Sequence, residues 1–483
     1  MSMGGNRLTV DLDKFIAIMV QCCILMILTA TVLGDLATLE FLCFFSLVNT
    51  GVVLFSVCKI SKQVYSVSSM FLLFLAVFHF GQAWLYVFGA KVDKTISYDI
   101  FSLYPHENIY NILYFSIVCY NLVALFWLVF YKKTKKTDAL TENQASDSGL
   151  LERETVFRFG IVLFLVLLVP VLVYDYLSIT LTAQFGHVGL YENSGMLAIW
   201  AAANSYFPLA IILVLLGCDP QKNGWRWMYY YAVGRCLLLM ILTGKRGSFV
   251  IPLLLYVFCK HHFIKKYKRK QLIWILIAGI LLLSLISFIS YGRGDYSNLN
   301  FWDFIIEKNI VTQILSELGG SFTTTVLSYN YTLSNGFLEG KSYLGALSVL
   351  LPFSDWIAPE LKQFYSLETI LNPYSPSGGA LGGSLFGEMY INFGFFSLLL
   401  SPLLAWAISK IENIIGQMQK HSLFAVCSSV YISYGFWIFV RGNFVDVIFI
   451  VKRTLYVFIL FWLFKTVLVR RKISLKQISD TPP

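Results

Sequence analysis

The sequence predicts an all-α, polytopic integral membrane protein, and three observations carry that reading. Hydrophobic residues make up 57% of the 483 positions and charged residues only 13%, with a mean hydropathy of +0.69, which excludes a soluble globular or a disordered chain. Apolar runs of the roughly 20 residues needed to cross a bilayer recur from Phe15 almost to the C-terminus. These runs are continuous, whereas a membrane β-strand would alternate over about 10 residues. Every span is therefore expected to be a helix that satisfies its own backbone.

In chain order, spans are expected at residues 15–33, 38–58, 64–89, 109–131, 157–177, 196–217, 226–243, 247–263, 272–291, 386–408, 422–440 and 450–469, about 12 transmembrane helices in all. The first run is long and no small-residue cleavage site follows it, so it reads as a span and not as a cleavable leader. Lys and Arg accumulate on the cytoplasmic side of short loops. With the N-terminus inside, most of the 37 basic residues fall on inner segments, notably Lys132 to Lys136, Lys260 to Lys270, and Lys465 to Lys476. Both termini are thus expected in the cytoplasm. The net charge of +10 is a topology signal, and nucleic acid is not an expected partner.

The organisation that follows is nine helices over residues 1–291, three over 386–469, and a cytoplasmic tail at 470–483. A polar cytoplasmic linker at 132–156 interrupts the first set. The segment 292–385 is too long for a simple connection. Its Trp302, Trp356 and the apolar stretch Tyr343 to Phe353 predict a large outer loop with short interfacial helices lying on the membrane surface. None of the nine cysteines lies in that loop and none has metal-site spacing. There is no nucleotide-binding loop, so neither metal nor cofactor is expected.

Cations on the outer face need a reason, because topology alone would remove them. Lys245-Arg246 sits between glycines at the turn after the seventh span, Arg293 opens the long loop, and Arg441-Gly442 follows the eleventh span. Arg presents a planar fork of donors matched to phosphate oxygens, and glycine lets backbone approach a ligand. Any one of these cations alone is equally compatible with anchoring to lipid headgroups. Three at one depth favour a site for a membrane-anchored phosphate or pyrophosphate. Arg235, deep in the seventh span, is costly by position and so a secondary candidate, although it can also snorkel inward. Lys452 and Arg453 are set aside, since snorkelling explains them equally well.

The strongest local pattern is Ser377 to Gly394, SGGALGGSLFGEMYINFG, whose glycines lead into the tenth span. The N-terminus of that helix should carry free backbone N–H groups and a positive dipole end, where an anion can bind. Glu388, in its first turn, becomes a candidate general base if burial raises its pKa; a helix-dipole partner or ion pair is the plainer alternative. His106 beside Glu107, and His187 before Glu192, are further candidate bases, each more commonly an ordinary loop histidine.

The LTGKRGSF segment at 242–249, GGSLFGEMYINFG at 382–394, the near twelve-span layout and the single large late loop together resemble the bacterial O-antigen polymerases, the Wzy-type oligosaccharide repeat-unit polymerases. The resemblance covers roughly the C-terminal half. It implies a glycosyltransferase of the bacterial inner membrane that works at the periplasmic face and builds O-antigen for lipopolysaccharide. The growing glycan on undecaprenyl pyrophosphate would pass to the next lipid-linked repeat unit, and a chain-length regulator is an implied partner. Such a reaction needs cations for the leaving pyrophosphate, a role that fits Lys245, Arg246, Arg293 and Arg441. Preorganised charge, with Arg293 in the reacting zone, and a base, with Glu388 the candidate, would supply catalysis. A transporter or flippase of lipid-linked oligosaccharide and an O-antigen ligase remain the alternatives.

Overall fold

A computed structural model of the chain describes residues 5–92, 97–132, 147–185, 194–219, 223–244, 246–291, 309–351, 359–375 and 382–479. Among these residues the secondary structure is helical, with no strand. The principal helices are α1 (Gly5–Leu33), α2 (Leu39–Ser61), α3 (Val67–Val87), α4 (His106–Phe130), α5 (Asp147–Phe185), α6 (Ser194–Gly217), α7 (Gly224–Thr243), α8 (Arg246–Cys259) and α9 (Arg269–Tyr291). They continue with α10 (Ile310–Leu318), α11 (Ser321–Asn335), α12 (Lys341–Ser348), α13 (Leu385–Phe393), α14 (Ser401–Gly416), α15 (Leu423–Phe439) and α16 (Phe444–Ser479).

Eleven of the twelve expected spans overlap one helix each in this series, and the tenth runs across both α13 and α14. Eight helical stretches are long and apolar enough to cross a membrane by length and composition, among the described residues: those of α1 to α6, the run Leu385–Gly416, and Phe444–Leu468 of α16. Phe249–Ile264, Lys270–Leu282 and Leu423–Phe439 are shorter apolar helices. The protein is thus an all-α polytopic membrane protein. Two boundaries differ from expectation. The end of the segment read as a polar linker, from Asp147, is already the start of α5, and most of the expected tail is the end of α16.

The chain divides into two compact units: Met1–Thr134 with Leu299–Gly416 and Gly435–Phe449, and Lys135–Asn298 with Gln417–Tyr434 and Ile450–Pro483. In the first, α3 is the most enclosed span. Thr38 and Ser66 cap α2 and α3, each accepting a hydrogen bond from a backbone N–H of the first turn. The Trp84 indole donates to Ser46 Oγ of α2 (3.1 Å), the Trp127 indole of α4 to Glu412 of α14 (3.2 Å), and the Trp437 indole to the Val67 carbonyl (3.2 Å).

The long loop does not simply lie on a surface. The α10–α11 hairpin turns at Gly319-Gly320 and packs against α3; a Cβ on Gly319 would come within 2.6 Å of the Gln82 amide. Thr325 of α11 reaches Ser384, which contacts His79 of α3. At 1.5 Å per residue, His79 lies about 12 Å inside α3 from its Val87 end, so the loop inserts alongside the span. The small hydroxyl side chains of Ser321, Thr323, Thr324, Thr325 and Ser328 assist this because they are compact and can hydrogen-bond, while Phe322, Val326 and Leu327 supply apolar packing.

The tenth span is also discontinuous. Gly394, at φ +55°, ends α13, and a 3-10 turn over Gly394–Leu400 precedes α14. A side chain at 394 would strike the Phe337 ring. The carbonyls freed by the break are used: Leu338 N–H donates to Ile391 O (2.9 Å) and Glu339 N–H to Asn392 O (3.1 Å).

In the second unit α5 and α6 pack antiparallel, with backbones brought together at glycines. A Cβ on Gly160 would meet Val214 N at 2.9 Å and one on Gly217 would meet Phe157 N at 2.7 Å. Arg153 donates to the Cys218 carbonyl at the end of α6 (2.8 Å), and Glu152 accepts from the Leu423 amide at the start of α15 (2.7 Å). Arg235 of α7 does not snorkel. Its Nε and one terminal nitrogen donate to Asp175 of α5 at 2.7 and 2.6 Å, and the same nitrogen donates to Asn204 of α6 at 2.6 Å. The Phe207 ring lies 5.1 Å from the guanidinium. The cost of burying the cation is thereby offset by a counter-ion with two-point geometry.

Candidate functional site

The site is built around the turn Arg441-Gly442-Asn443-Phe444-Val445-Asp446, between α15 and α16. Asn443 precedes the first helical residue of α16, and its N–H donates to Asp446 Oδ2 (2.8 Å), one half of a capping box. The Phe444 N–H donates to Glu388 Oε2 (2.6 Å). The turn docks on the glycine-rich lead into α13. A Cβ on Gly383 would overlap the Gly442 carbonyl, and one on Gly442 would overlap the Asp446 carboxylate. Gly382 has ordinary room, with Arg441 Nε 3.6 Å from where its Cβ would be.

Glu388 is 0% exposed. Its second oxygen, Oε1, accepts from Ser342 Oγ of α12 (2.9 Å), and Ser342 Oγ in turn accepts from Asn392 Nδ2 (2.7 Å). Both Glu388 oxygens are thus engaged within the fold, on a side chain with no exposure. It is a buried clamp that joins α12, α13 and α16. The N-terminus of α13, read from the sequence as a place for an anion, is also engaged by the protein's own groups. Ser384 Oγ accepts from Gly387 N–H (3.0 Å), Ser384 O from Glu388 N–H (2.8 Å), and Val440 O from Leu385 N–H (3.4 Å). The protein's own groups occupy the positions that a ligand would need.

Ser384 also anchors a buried polar chain. The Leu75 carbonyl 3.0 Å from His79 Nδ1 can only accept, so Nδ1 carries a proton. In the neutral ring Nε2 then accepts from Ser384 Oγ (2.9 Å), and Ser384 accepts from Thr325 Oγ1 (2.7 Å). Thr324 Oγ1 donates to Gly382 O (2.6 Å). Span, loop hairpin and glycine segment are fastened at one point.

The same turn holds a carboxylate that the sequence did not single out. Asn443 Oδ1 accepts from the Leu367 N–H (3.0 Å), and Asn443 Nδ2 lies 3.5 Å from Ser366 Oγ. Leu367 and Leu371 are fully enclosed in a cluster with Leu327, Leu338 and Ile391, so Glu368 follows directly on a residue bonded to this turn and lies within electrostatic reach of Arg441 and Asp446. Burial, reinforced by the negative charge of Asp446, pushes the Glu368 carboxyl up to about 7 against the opposing pull of Arg441. Glu368, Arg441 and Asp446 all keep partial exposure, and Arg441 also lies 5.8 Å from the Phe78 ring.

Of the other expected site residues, Lys245, Arg293, His187 and Glu192 lie outside the described residues. Arg246 is the first residue of α8, in the second unit. His106 begins α4, with its ring 6.4 Å from that of Tyr86. The structure therefore joins Arg441 and Glu388 in one constellation through Phe444. The capping pattern Asn443-x-x-Asp446 before an apolar run was a readable sign of this turn. A histidine inside a span, His79, was another. Nothing in SLETIL marked Glu368.

No curated protein and no solved structure matches this chain. The family model described as O-antigen polysaccharide polymerase Wzy aligns with residues 14–472, nearly the whole length and not the C-terminal half alone, and the chain belongs to that family.

Proposed function

We propose that this protein polymerises lipid-linked oligosaccharide repeat units, transferring the glycan carried on undecaprenyl pyrophosphate to the next unit at the periplasmic face of the bacterial inner membrane, with both chain termini in the cytoplasm. The observation that carries the reading is the family match over residues 14–472. Family membership supports an O-antigen polymerase role in general, and the chemistry near Arg441 is compatible with the rest.

A sugar hydroxyl of the acceptor attacks the anomeric carbon of the donor, and the lipid pyrophosphate leaves. The leaving group is anionic, so catalysis depends on fixed positive charge. Arg441 is assigned to the pyrophosphate, together with Lys245, Arg246 and Arg293. Glu388 serves by holding the turn that carries Arg441. No step calls on a metal or a nucleotide, and a chain-length regulator is the partner expected to act with it.

The test is polymerisation by the purified protein in liposomes. The probe is lipid-linked repeat units extracted from the source strain after deletion of this gene. Longer pyrophosphate-linked glycans, absent with Arg441→Ala, are the expected result. Repeat units that cross the bilayer without elongation would replace the polymerase by a transporter; transfer only to a lipid A core acceptor would replace it by a ligase.

A further inference from the structure

Three features converge on Glu368. The short helix Leu367–Leu371 is tied at its first residue to Asn443, two positions after Arg441. It is held from one side by the Leu327, Leu338 and Ile391 cluster. On the other side Tyr365, three residues earlier, packs with Phe444 against Ala346, Val445 and Ile448. A carboxylate on so short an element, in a loop, would ordinarily be mobile and solvated. Here both flanks are fixed and the side chain stays partly open, beside an arginine assigned to the leaving group. Of the two other carboxylates of this constellation, Glu388 has no exposure and Asp446 is engaged by the Asn443 N–H at the start of α16.

We propose that Glu368 is the general base of the transfer, taking the proton of the attacking acceptor hydroxyl while Arg441 neutralises the departing pyrophosphate. This rests on the polymerase reading above. The hydroxyl oxygen forms the new bond to the anomeric carbon, and the bond from that carbon to the pyrophosphate oxygen breaks. The electron pair leaves with the pyrophosphate. The proton passes to the Glu368 carboxylate and then to water, so no oxidant or second reactant is required. Displacement on one face and departure from the other inverts the anomeric configuration.

The electrostatics suit the task. A base works best when its pKa is close to the working pH, and burial together with Asp446 brings Glu368 to about 7. The charged groups acting on it are Asp446 and Arg441. The phenols of Tyr331 and Tyr104, packed against the same cluster, are themselves pushed up by burial, Tyr104 to about 12. They do not titrate near neutrality.

The experiment uses the full-length protein in liposomes with the extracted lipid-linked repeat units, and measures initial polymerisation rates from pH 5.5 to 9. Wild type should rise with pH through a midpoint near 7. Glu368→Gln should lose about 100-fold or more on the alkaline plateau, together with the pH limb, while still melting cooperatively, and Glu368→Asp should keep part of the rate and a pH limb. Asp446→Asn should move the acid limb to lower pH, a response that a merely structural Glu368 would not give. A Glu368→Gln variant that polymerises within about threefold of wild type, with the same pH limb, overturns the base assignment and leaves the polymerase reading intact. A wild-type protein that makes no polymer from these units overturns both.

Discussion

Replacing Asp175 with Leu and Arg235 with Met, singly and together, tests whether the membrane interior of the second unit depends on a closed charge pair. The two side chains are 12% and 9% exposed and meet through two hydrogen bonds of 2.6–2.7 Å, with Asn204 supplying a third to the guanidinium. Either single change strands a charge among helices, and breaking such a buried pair costs about 3–5 kcal/mol. The double variant strands no charge, leaving only the Asn204 oxygen without its donor, and replaces the pair by apolar side chains of similar length. It should lie within about 2 kcal/mol of wild type, so that two singles at about 3 kcal/mol or more each give a coupling near about 4 kcal/mol or more. In detergent, the apparent melting temperature of each single variant should fall by roughly 5–10 °C while the double variant recovers most of the loss. Asn204→Ala removes one bond to a charged group and should cost about 1.5–3 kcal/mol. A double variant no more stable than the worse single would refute the reasoning, because the two charges would then be acting on other groups.

Four further outcomes follow from the site. Gly383→Ala and Gly442→Ala should each destabilise by about 1–3 kcal/mol through overpacking and weaken polymerisation, whereas Gly382→Ala, with ordinary room, should be tolerated; melting and polymer length read both. Glu388→Gln leaves one buried N–H without an acceptor and should lower thermal stability by about 1–3 kcal/mol. Glu368→Gln should raise the melting temperature at pH 8. The folded carboxyl lies at about 7 instead of its ordinary 4.5, so its favourable contribution is complete below 4.5 and gone once pH has risen through about 7. The difference amounts to roughly 3 kcal/mol, and melts of both proteins from pH 4 to 9 would reveal it. Arg441→Lys keeps the charge but loses the planar fork, and should retain only part of the polymerisation rate that Arg441→Ala abolishes.

Much of the fold was legible because a bilayer imposes a coarse rule: a continuous apolar run must be a helix, and twelve such runs coincide with helices. The insertion of α10 and α11 was not, because Ser321 to Ser328 is too polar for a hydropathy reading and its hydroxyls find Gly382 and Ser384, 58 and 59 positions away in the chain. The arginine turn was found as an anomaly of charge placement, yet the neighbours that give Arg441 its setting come from residues tens to hundreds of positions away. Glu388 was singled out by its place alone, without its partners. Sequence puts it in the first turn of a helix; only the folded chain brings Ser342 and the Phe444 amide to its two oxygens. Glu368 was invisible for the same reason, since its distinction comes from Asn443 and Asp446.

The bond between His79 and Ser384 spans 305 positions and that between Trp437 and Val67 spans 370. Ribosomes add about 5–20 residues per second, so α3 enters the bilayer roughly 15–60 seconds before its partners exist. Throughout that interval His79 lacks Ser384, and the α3 surface that will later receive the loop hairpin is uncovered, in a solvent that charges heavily for unpaired polar groups. Biogenesis must therefore shelter α3, beside the insertion machinery or against its early neighbours α2 and α4, until the C-terminal third arrives. A chain truncated before residue 382 should be cleared by membrane quality control instead of persisting as a smaller, partly working protein.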